Sequence, residues 1–407
     1  MSEATGTAVT ARRVTLVEFT PSGGLFQFSY QLGQGLAELG HDVELVTGPE
    51  PELRSDHPRF RVLPILPTWH PGAGVERPWL RKSRRVIRAV RHVAAWAVVA
   101  RHLRRVRPDV VQWSEWRFGI DGLLAAAIAR RRWAGLASDL AHSPIPLEEQ
   151  GAGDGAYRQG RLLRAGLARG YRAMDAVFVL GETSSADLQA NFPEVDAPVV
   201  IPHGHEGIFD SGPVVPPGDC PQRVVLFGSL TRYKGIDVLL DAFAEVRRRL
   251  PEAELVVAGP LVGDLELEAL LLRADRIGNV ALRPGYLPIE RVPELVGSAR
   301  VFAAPYLRSN ASGAVRLAQT LGRPVVVTDV GDLADSVPDG VAGLVVPPED
   351  ARSLAEALLR LLEDPRLADR MGAAGRDRLL DEGSWERVAA RVSAVYDSVL
   401  DRPPISS

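Results

Sequence analysis

Two cations that follow a glycine turn are the residues of this chain best suited to chemistry. Residues 226–235 read Leu-Phe-Gly-Ser-Leu-Thr-Arg-Tyr-Lys-Gly, which places Arg232 and Lys234 just after Gly228 and Ser229. Set against a pyrophosphate, the two cations would neutralise it, and they would stabilise a departing diphosphate more strongly as its negative charge grows. The alternative is a solvated loop that carries two surface charges.

Three short turns of small residues fall between a predicted strand and a predicted helix. They are Ser22-Gly23-Gly24, Gly228-Ser229 and Ser312-Gly313. Free backbone N–H groups at a helix N-terminus, together with the helix dipole, form a binding site suited to phosphate. Glycines in such turns are also what tight strand-to-helix connections require for structural reasons alone, and this alternative stays open.

One histidine lies where it could approach a bound substrate. His142 follows a predicted strand in the run Asp139-Leu140-Ala141-His142. A histidine at a strand end is either a hydrogen-bonded structural residue or a residue that faces a ligand. The sequence holds no Asp-x-Asp tripeptide and no Cys/His cluster at zinc spacing, so we expect no bound metal and no cofactor beyond the substrate.

The elements that must position these residues alternate between short apolar strands and helices. The first series has predicted strands at 14–19, 43–47, 61–65, 110–113, 134–141, 176–180 and 199–201, with helices at 26–39, 79–107 and 120–132 among those between them. A second series has strands at 223–227, 254–258, 280–282, 301–304 and 325–328. This alternation predicts an α/β fold of two Rossmann-like, doubly wound parallel sheets that face each other across a cleft.

The densest cluster of Pro and Gly, at 207–222, is interpreted as a linker between the two series. We therefore predict a domain over 1–206, a second domain over 223–383, and a terminal helix within 384–407 that packs against one of them. The apolar spacing of Val388, Val392, Val395 and Val399 carries the last of these predictions.

Composition argues against a membrane-spanning protein and against one held together by internal disulfides. The 407 residues are 46% hydrophobic and 24% charged with a net charge of −3, which is typical of a soluble globular chain. The longest apolar run, 93–100, is far shorter than a membrane span, and the single cysteine, Cys220, cannot form an internal disulfide. We expect a cytoplasmic protein.

The basic stretch 81–107 holds ten Lys and Arg and no acid. Its helical spacing separates an arginine face from a face of Val and Ala, so it could make peripheral contact with anionic lipid. The alternative is a solvated helix; nucleic acid is not expected, because no recognition motif accompanies the charge.

The stretch 227–243 looks like the donor-binding signature of the family 4 glycosyltransferases, which have the GT-B fold. Further segments resemble other parts of that family: 21–24 and 36–43 its N-terminal opening, 201–204 its interdomain segment, 322–326 and 343–346 the end of its donor domain, and 384–389 its terminal helix. Together they cover nearly the whole chain.

The chain departs from the family pattern at three positions. The paired glutamates of the Glu-x7-Glu motif would fall on Ser309 and Leu317, and the first phosphate-binding arginine would fall on Ser229. The sequence Ser309-Asn310-Ala311-Ser312-Gly313 looks like a branch of the family that lacks the glutamate pair.

The resemblance implies a retaining hexosyltransferase that uses a nucleotide-sugar donor in polysaccharide or glycoconjugate biosynthesis. It implies that Lys234 and Arg232 hold the diphosphate, that His142 approaches the donor sugar, and that the small-residue segments bind the donor; these are Gly23, Gly24, Gly228, Ser229, Ser309, Asn310, Ser312 and Gly313. Two alternatives stay open: a non-catalytic GT-B protein that binds a partner, and a sugar-nucleotide epimerase on the same fold.

Overall fold

A computed structural model describes residues 10–68, 81–116, 118–144, 161–210, 212, 214–262 and 265–401. Residues 79 and 80, where the second predicted helix begins, lie outside this part, as do 402–407 of the predicted terminal segment. Within the described ranges, the strands form two parallel sheets.

The first sheet is built from residues before position 201. Its order is β3-β2-β1-β4-β5-β6-β7, and β1 lies between β2 and β4, with Val14 level with Val43 and Val110. The strands are β1 Arg13–Val17, β2 Asp42–Val46, β3 Phe60–Leu63, β4 Val110–Ser114, β5 Leu136–Leu140, β6 Ala176–Val179 and β7 Val199–Val200. The helices between them are α1 Gly24–Glu38, α2 Arg81–Val106, α3 Gly119–Arg130, α4 Arg161–Tyr171 and α5 Glu182–Asn191.

The second sheet begins at residue 223 and has the order β10-β9-β8-β11-β12-β13. Its strands are β8 Arg223–Phe227, β9 Glu254–Gly259, β10 Val280–Pro284, β11 Val301–Ala304, β12 Val325–Thr328 and β13 Gly343–Val346. Its helices are α6 Ile236–Arg249, α7 Leu267–Ile277, α8 Val292–Gly297, α9 Gly313–Thr320, α10 Asp332–Asp335, α11 Ala351–Glu363 and α12 Pro365–Glu382.

Burial explains why the strands read as nearly continuous apolar runs. Helices cover both faces of each sheet, so strands such as β4, β11 and β12 are buried along their whole length. The predicted class, two Rossmann-like parallel sheets of the GT-B type, is confirmed. The sequence analysis did not predict β13 as a strand.

The last helix, α13 Trp385–Leu400, returns from the second half of the chain to pack against α1 in the first. A Cβ at Gly35 in α1 would lie 2.9 Å from the carbonyl oxygen of Trp385, so glycine permits this close approach. At the far end of α13, the Tyr396 hydroxyl donates to Gln112 Oε1 of β4 at 2.6 Å. The helix therefore belongs to the core of the first sheet.

Candidate functional site

The carboxyl ends of β8 and β11 carry two loops that are locked together. Gly235 has φ +65°, and a Cβ at this position would collide with the carbonyl oxygen of Pro305, so only glycine fits. The Leu307 N–H also donates to the Tyr233 carbonyl at 2.7 Å. These contacts fix residues 231–235 against 305–307 and so determine where Lys234 lies.

Lys234 is buried, with 7% of its surface exposed. Its ammonium lies over the ring of Tyr306, with Nζ 3.6 Å from the ring centroid, and 5.2 Å from that of Tyr233. Burial lowers the pKa of Lys234, while Tyr233 acts in the opposite direction. Among the described residues no Asp or Glu forms an ion pair with this ammonium, so an anionic ligand would be its natural partner.

Arg232, in contrast, is exposed. It opens the short 3-10 turn Arg232–Lys234, in which successive side chains are about 120° apart. Residues 232 and 234 therefore project in different directions, and the structure brings only Lys234 into the packed loop. The structure thus buries Lys234 and leaves Arg232 exposed, and the convergence of both cations on one group stays a prediction.

The N-terminus of α9 lies close to Lys234 through Tyr306, whose hydroxyl is 3.4 Å from Ser312 Oγ. Ser312 is the N-cap, and its Oγ accepts a bond from the Val315 N–H. Gly313 follows, and a Cβ there would be 3.3 Å from Glu206 Oε1. Because Gly313 has no side chain, groups from the first half of the chain can approach the helix N-terminus.

Glu206 is a residue of this site that the sequence analysis missed. It is 4% exposed, its Oε2 accepts a hydrogen bond from Gln31 Nε2 of α1 at 3.1 Å, and its backbone N–H donates to Thr320 Oγ1 of α9 at 3.0 Å. Burial raises the pKa of Glu206 to about 7, against the smaller opposing effects of Gln31 and Arg316. The available signal was a charged residue in the run His203-Gly204-His205-Glu206.

Two histidines, the half-buried His142 and the buried His203, lie around Phe28 of α1. The ring of His142 is 4.8 Å from that of Phe28, and the ring of His203 is 5.4 Å from it on edge. Burial lowers the pKa of His142 to about 3 and that of His203 to about 4, so both are neutral near pH 7. His142 Nε2 is buried and has no hydrogen-bond partner in the described part of the chain.

A hydrogen bond connects the histidine loop to the second half of the chain. Asn310 Nδ2 donates to the backbone oxygen of His142 at 3.4 Å. Through these contacts the structure brings together Lys234, His142 and a third group, Asn310, Ser312 and Gly313, which come from three separate segments of the sequence.

The Gly23 N–H, which we expected to be free for phosphate, has a partner. It donates to Glu52 Oε2 at 3.0 Å, and Gln27 Nε2 donates to the same oxygen. Glu52 Oε1 accepts from the Tyr286 hydroxyl of the second half at 2.6 Å. A carboxylate therefore occupies the first glycine turn, although a Cβ at Gly24 would meet no atom within 4 Å.

The positions at which the resemblance places the missing glutamates have different surroundings. Leu317 is 2% exposed and packs in the apolar core of the second sheet, so it offers no group to a ligand. Ser309 is buried, and its hydroxyl donates to the Asn310 carbonyl at 2.6 Å.

Gly228 and Ser229 lie half-buried at the end of β8, where Gly228 has φ +126°.

A carboxylate fastens the two halves together beside this site. Asp332 accepts hydrogen bonds from Thr183 N at 2.8 Å, Ser184 N at 3.1 Å and Ser184 Oγ at 2.6 Å. These donors form the N-terminus of α5, where a negative charge is stabilised by the helix dipole. A Cβ at Gly181 would collide with the Asp332 carboxylate, so glycine is needed there.

Within the described ranges, His, Cys, Asp and Glu side chains form no group of three or more that could hold a metal ion. None of the helices in these ranges could span a membrane.

Two family models match, and together they extend over most of the chain. The model described as "Glycosyl transferase 4-like domain" matches residues 23–204, and "Glycosyl transferases group 1" matches 221–364. The chain belongs to the family 4 type of glycosyltransferases. The expected membership of this family is thereby confirmed.

Relatives with described activities are similar to this glycosyltransferase over different lengths. A GDP-mannose-dependent alpha-(1-6)-phosphatidylinositol monomannoside mannosyltransferase of Mycolicibacterium smegmatis is 37% identical over 43% of this chain, and the match spans 47% of that relative. An MMP alpha-(1->4)-mannosyltransferase of Mycolicibacterium hassiacum is 27% identical over 96% of this chain and 99% of its own length.

Solved structures share the fold. Sucrose-phosphate synthase from Thermosynechococcus elongatus superposes with a TM-score of 0.72 at 22% identity, over 96% of this chain and 99% of that one. Anabaena HepE in complex with UDP-glucose gives 0.68 at 13% identity, over 95% of this chain and 100% of that one. At these identities the likeness concerns the fold alone.

Proposed function

We propose that this glycosyltransferase moves a hexose from a nucleoside diphosphate sugar to a glycan, lipid-linked or small-molecule acceptor, with retention at the anomeric carbon. The observation that carries the proposal is the buried ammonium of Lys234 at the carboxyl end of β8, next to the N-terminus of α9. Burying a cation without an acid partner is costly, and a diphosphate would remove that cost.

In the proposed mechanism, the bond from the anomeric carbon to the diphosphate oxygen breaks, and the acceptor oxygen bonds to that carbon from the same face. The acceptor proton passes to the departing phosphate oxygen, so no protein base is needed. Lys234 and the backbone N–H groups from Gly313 onward stabilise the charge that develops on the diphosphate. Asn310 and the neutral His142 lie beside them and would contact the donor sugar.

Arg232 and Gly23 are assigned to the donor site with less structural support than Lys234. Arg232 is exposed, so its contact with the diphosphate is proposed from the resemblance alone. Gly23 would contribute its N–H only after a ligand displaces Glu52. We retain Gly24, Gly228 and Ser229 as backbone contacts to the donor, and Ser309 as a residue that shapes the loop.

Two observations on similar proteins support a nucleoside diphosphate sugar as donor. The relative from Mycolicibacterium smegmatis is named as GDP-mannose-dependent, and the HepE structure contains UDP-glucose. We propose the same donor class here, bound mainly by residues 223–383, with the acceptor bound mainly by residues 1–206.

The outer face of α2 supports peripheral membrane contact. Ile87, Val90 and Val93 are 52%, 62% and 48% exposed on one side of the helix, and Arg88 and Arg91 are exposed beside them. Apolar side chains flanked by arginines on an exposed helix suit an anionic membrane surface. Such a contact would place the enzyme next to an acceptor that is linked to a membrane lipid.

The experiment that tests the proposal replaces Lys234 by Ala and measures transfer with the donor selected by thermal shift from a panel of nucleotide sugars. We expect turnover to fall about 100- to 1000-fold, the usual loss when one charge-stabilising group is removed. Arg366→Gln, which removes an exposed cation of the same half, serves as the matched control. A Lys234→Ala enzyme that folds and turns over at a near-normal rate would refute the role of Lys234.

Leu317 stands at the position of the second glutamate and is buried, so it cannot make that glutamate's contact with the donor. This observation favours the alternative of a non-catalytic protein. Isothermal titration with GDP, UDP and ADP separates the two, because a scaffold would bind none of them. An epimerase would convert the donor in the absence of acceptor, and product analysis would detect this.

A further inference from the structure

A concave, arginine-lined surface lies between α3 and α4, on the first half of the chain. This α3–α4 groove encloses about 810 Å³. Its lining contains five arginines and one acid: Arg130, Arg132, Arg164, Arg169, Arg172 and Glu194. Glu194 forms an ion pair with Arg172 at 3.0 Å, so most of the positive charge in the groove is not balanced within its lining.

Glycines fix the shape of the groove. Added Cβ atoms at Gly122 of α3 and at Gly166 of α4 would each collide with backbone atoms of the other helix. At Gly119, a Cβ would be 2.8 Å from the Leu163 Cα. The two helices therefore cross with their backbones in contact, and the groove beside the crossing is formed before any ligand binds.

The groove is separate from the site at the carboxyl ends of the strands. Helix α3 starts after the carboxyl end of β4 and ends ahead of the amino end of β5, so Arg130 and Arg132 lie toward the opposite edge of the sheet. Arg169 and Arg172, at the end of α4, precede the amino end of β6 in the same way. A ligand of the groove is therefore distinct from a ligand of that site.

The arginines of the groove differ in whether they have a hydrogen-bond or ion-pair partner. Arg132 is 3.5 Å from Asp175, and Arg164 donates to the Asn191 carbonyl at 2.7 Å. Arg130 and Arg169 are exposed and have no hydrogen bond or ion pair within the described residues. A planar guanidinium donates two parallel hydrogen bonds to phosphate oxygens, so these two side chains are free to bind that group.

We propose that the α3–α4 groove binds the phosphate headgroup of an anionic phospholipid at a membrane surface. The lining of the groove also contains the apolar residues Ala129, Ala165 and Ala168, and Leu123 in the same lining is 46% exposed. Leu162, one turn before Ala165 on α4, is 88% exposed. Phosphate-binding arginines next to exposed leucines match a headgroup that is joined to acyl chains.

The position of α2 favours a membrane over a soluble phosphate compound. Right-handed crossovers place α2, α3 and α4 on one face of the first sheet, and side chains of all three pack in the same core: Trp96, Ala125 and Leu167 are members. The outer face of α2 and the groove consequently belong to one helical layer. A planar anionic surface could contact both.

The test uses the full chain and sedimentation with two kinds of vesicle: phosphatidylcholine alone, and phosphatidylcholine with a third of the lipid replaced by phosphatidylglycerol. We expect binding only to the anionic vesicles. Arg130→Gln with Arg169→Gln should weaken it roughly 30-fold, from the loss of two cations near an anionic surface. Arg366→Gln with Arg370→Gln, which removes two exposed cations from α12 in the other half, should leave it nearly unchanged.

Several outcomes would overturn the proposal. One is that the groove variant binds anionic vesicles as well as the wild type does. Another is that the α12 control loses as much vesicle binding as the groove variant. A third is that vesicle binding is abolished only by Val90→Ser with Val93→Ser, on α2. Tight binding of glycerol 3-phosphate or of single-stranded RNA that the groove variant loses, without vesicle binding, would assign the groove to a soluble ligand instead. Thermal melting checks that each variant folds. Vesicle binding is measured without any sugar transfer, so this proposal and the proposed function can fail independently.

Discussion

Glu206 connects the two halves of the chain, and replacing it by Gln gives a prediction that the structure makes quantitative. The carboxylate is buried between Gln31 of α1 and the N-terminus of α9, with 4% of its surface exposed. Glutamine has the same shape and keeps an oxygen that can accept the bond from Gln31. The substitution therefore removes one ionisation and little else.

The sign of the effect follows from the raised pKa. Burial raises the pKa of Glu206 from 4.5 to about 7, so the folded state takes up a proton at a higher pH than the unfolded chain does. The resulting contribution to stability is fully present below pH 4.5 and is lost as the pH rises through 7. The difference between the two pKa values corresponds to ~3 kcal/mol at high pH, since each unit is worth about 1.4 kcal/mol.

The titrations of His142 and His203 act in the opposite direction, so a matched comparison is necessary. The pKa of His203 is lowered to about 4 and that of His142 to about 3, so their contributions are present above pH 6.5 and are lost as the pH falls toward those values. Both histidines remain in the Glu206→Gln variant. Subtracting the wild-type profile from that of the variant therefore isolates Glu206.

The assay is urea unfolding of the wild type and of Glu206→Gln at pH 5, 7 and 8.5. Between pH 5 and pH 8.5 we expect the free energy of unfolding of the variant to rise by ~2.5 kcal/mol relative to that of the wild type. Glu386→Gln, at an exposed position of α13, should show no such trend. A difference between variant and wild type that is constant from pH 5 to pH 8.5 would refute the reasoning.

Three further predictions follow from single contacts. Asp332→Ala leaves the N–H and hydroxyl of Ser184 buried without an acceptor; it should lower the free energy of unfolding by about 2–4 kcal/mol and increase the radius of gyration in small-angle scattering, and an unchanged radius would contradict a fastening role. Gly235→Ala forces a Cβ onto Pro305 at positive φ, so thermal melting should show a loss of at least ~2 kcal/mol. Glu52→Gln removes the negative charge from the first glycine turn and should lower KM for the donor by about two- to tenfold with little change in kcat, whereas a raised KM would mean that Glu52 assists binding.

The fold could be predicted from the sequence because its signals are local. Short apolar runs such as 301–304 and 325–328 alternate with helical spacing, and this pattern is enough to specify parallel sheets covered by helices. The terminal helix at 385–400 shows its buried face by the spacing of its valines. β13 escaped prediction because four residues that begin with glycine carry little strand signal on their own, and its place is set by pairing with β12.

The candidate site was only partly predictable. Lys234 could be found because a cation follows a glycine turn, and the structure buries it over Tyr306. Nothing in the sequence shows that Arg232, two residues away, is exposed while Lys234 is buried, because the 3-10 turn that contains both residues sets this difference. Nor does the sequence show that Glu52, 29 positions after Gly23, occupies the first glycine turn.

What the sequence determined by itself is the set of elements, the family and the chemical types of residue available at the ends of the strands. Only the tertiary structure decided which of these residues meet, since Glu206 with Gln31, Asp332 with Ser184 and Asn310 with His142 are each more than 140 positions apart. The physical reason is that local periodicity records which face of an element is buried, whereas a pKa or an ion pair depends on the neighbours that packing brings from elsewhere in the chain.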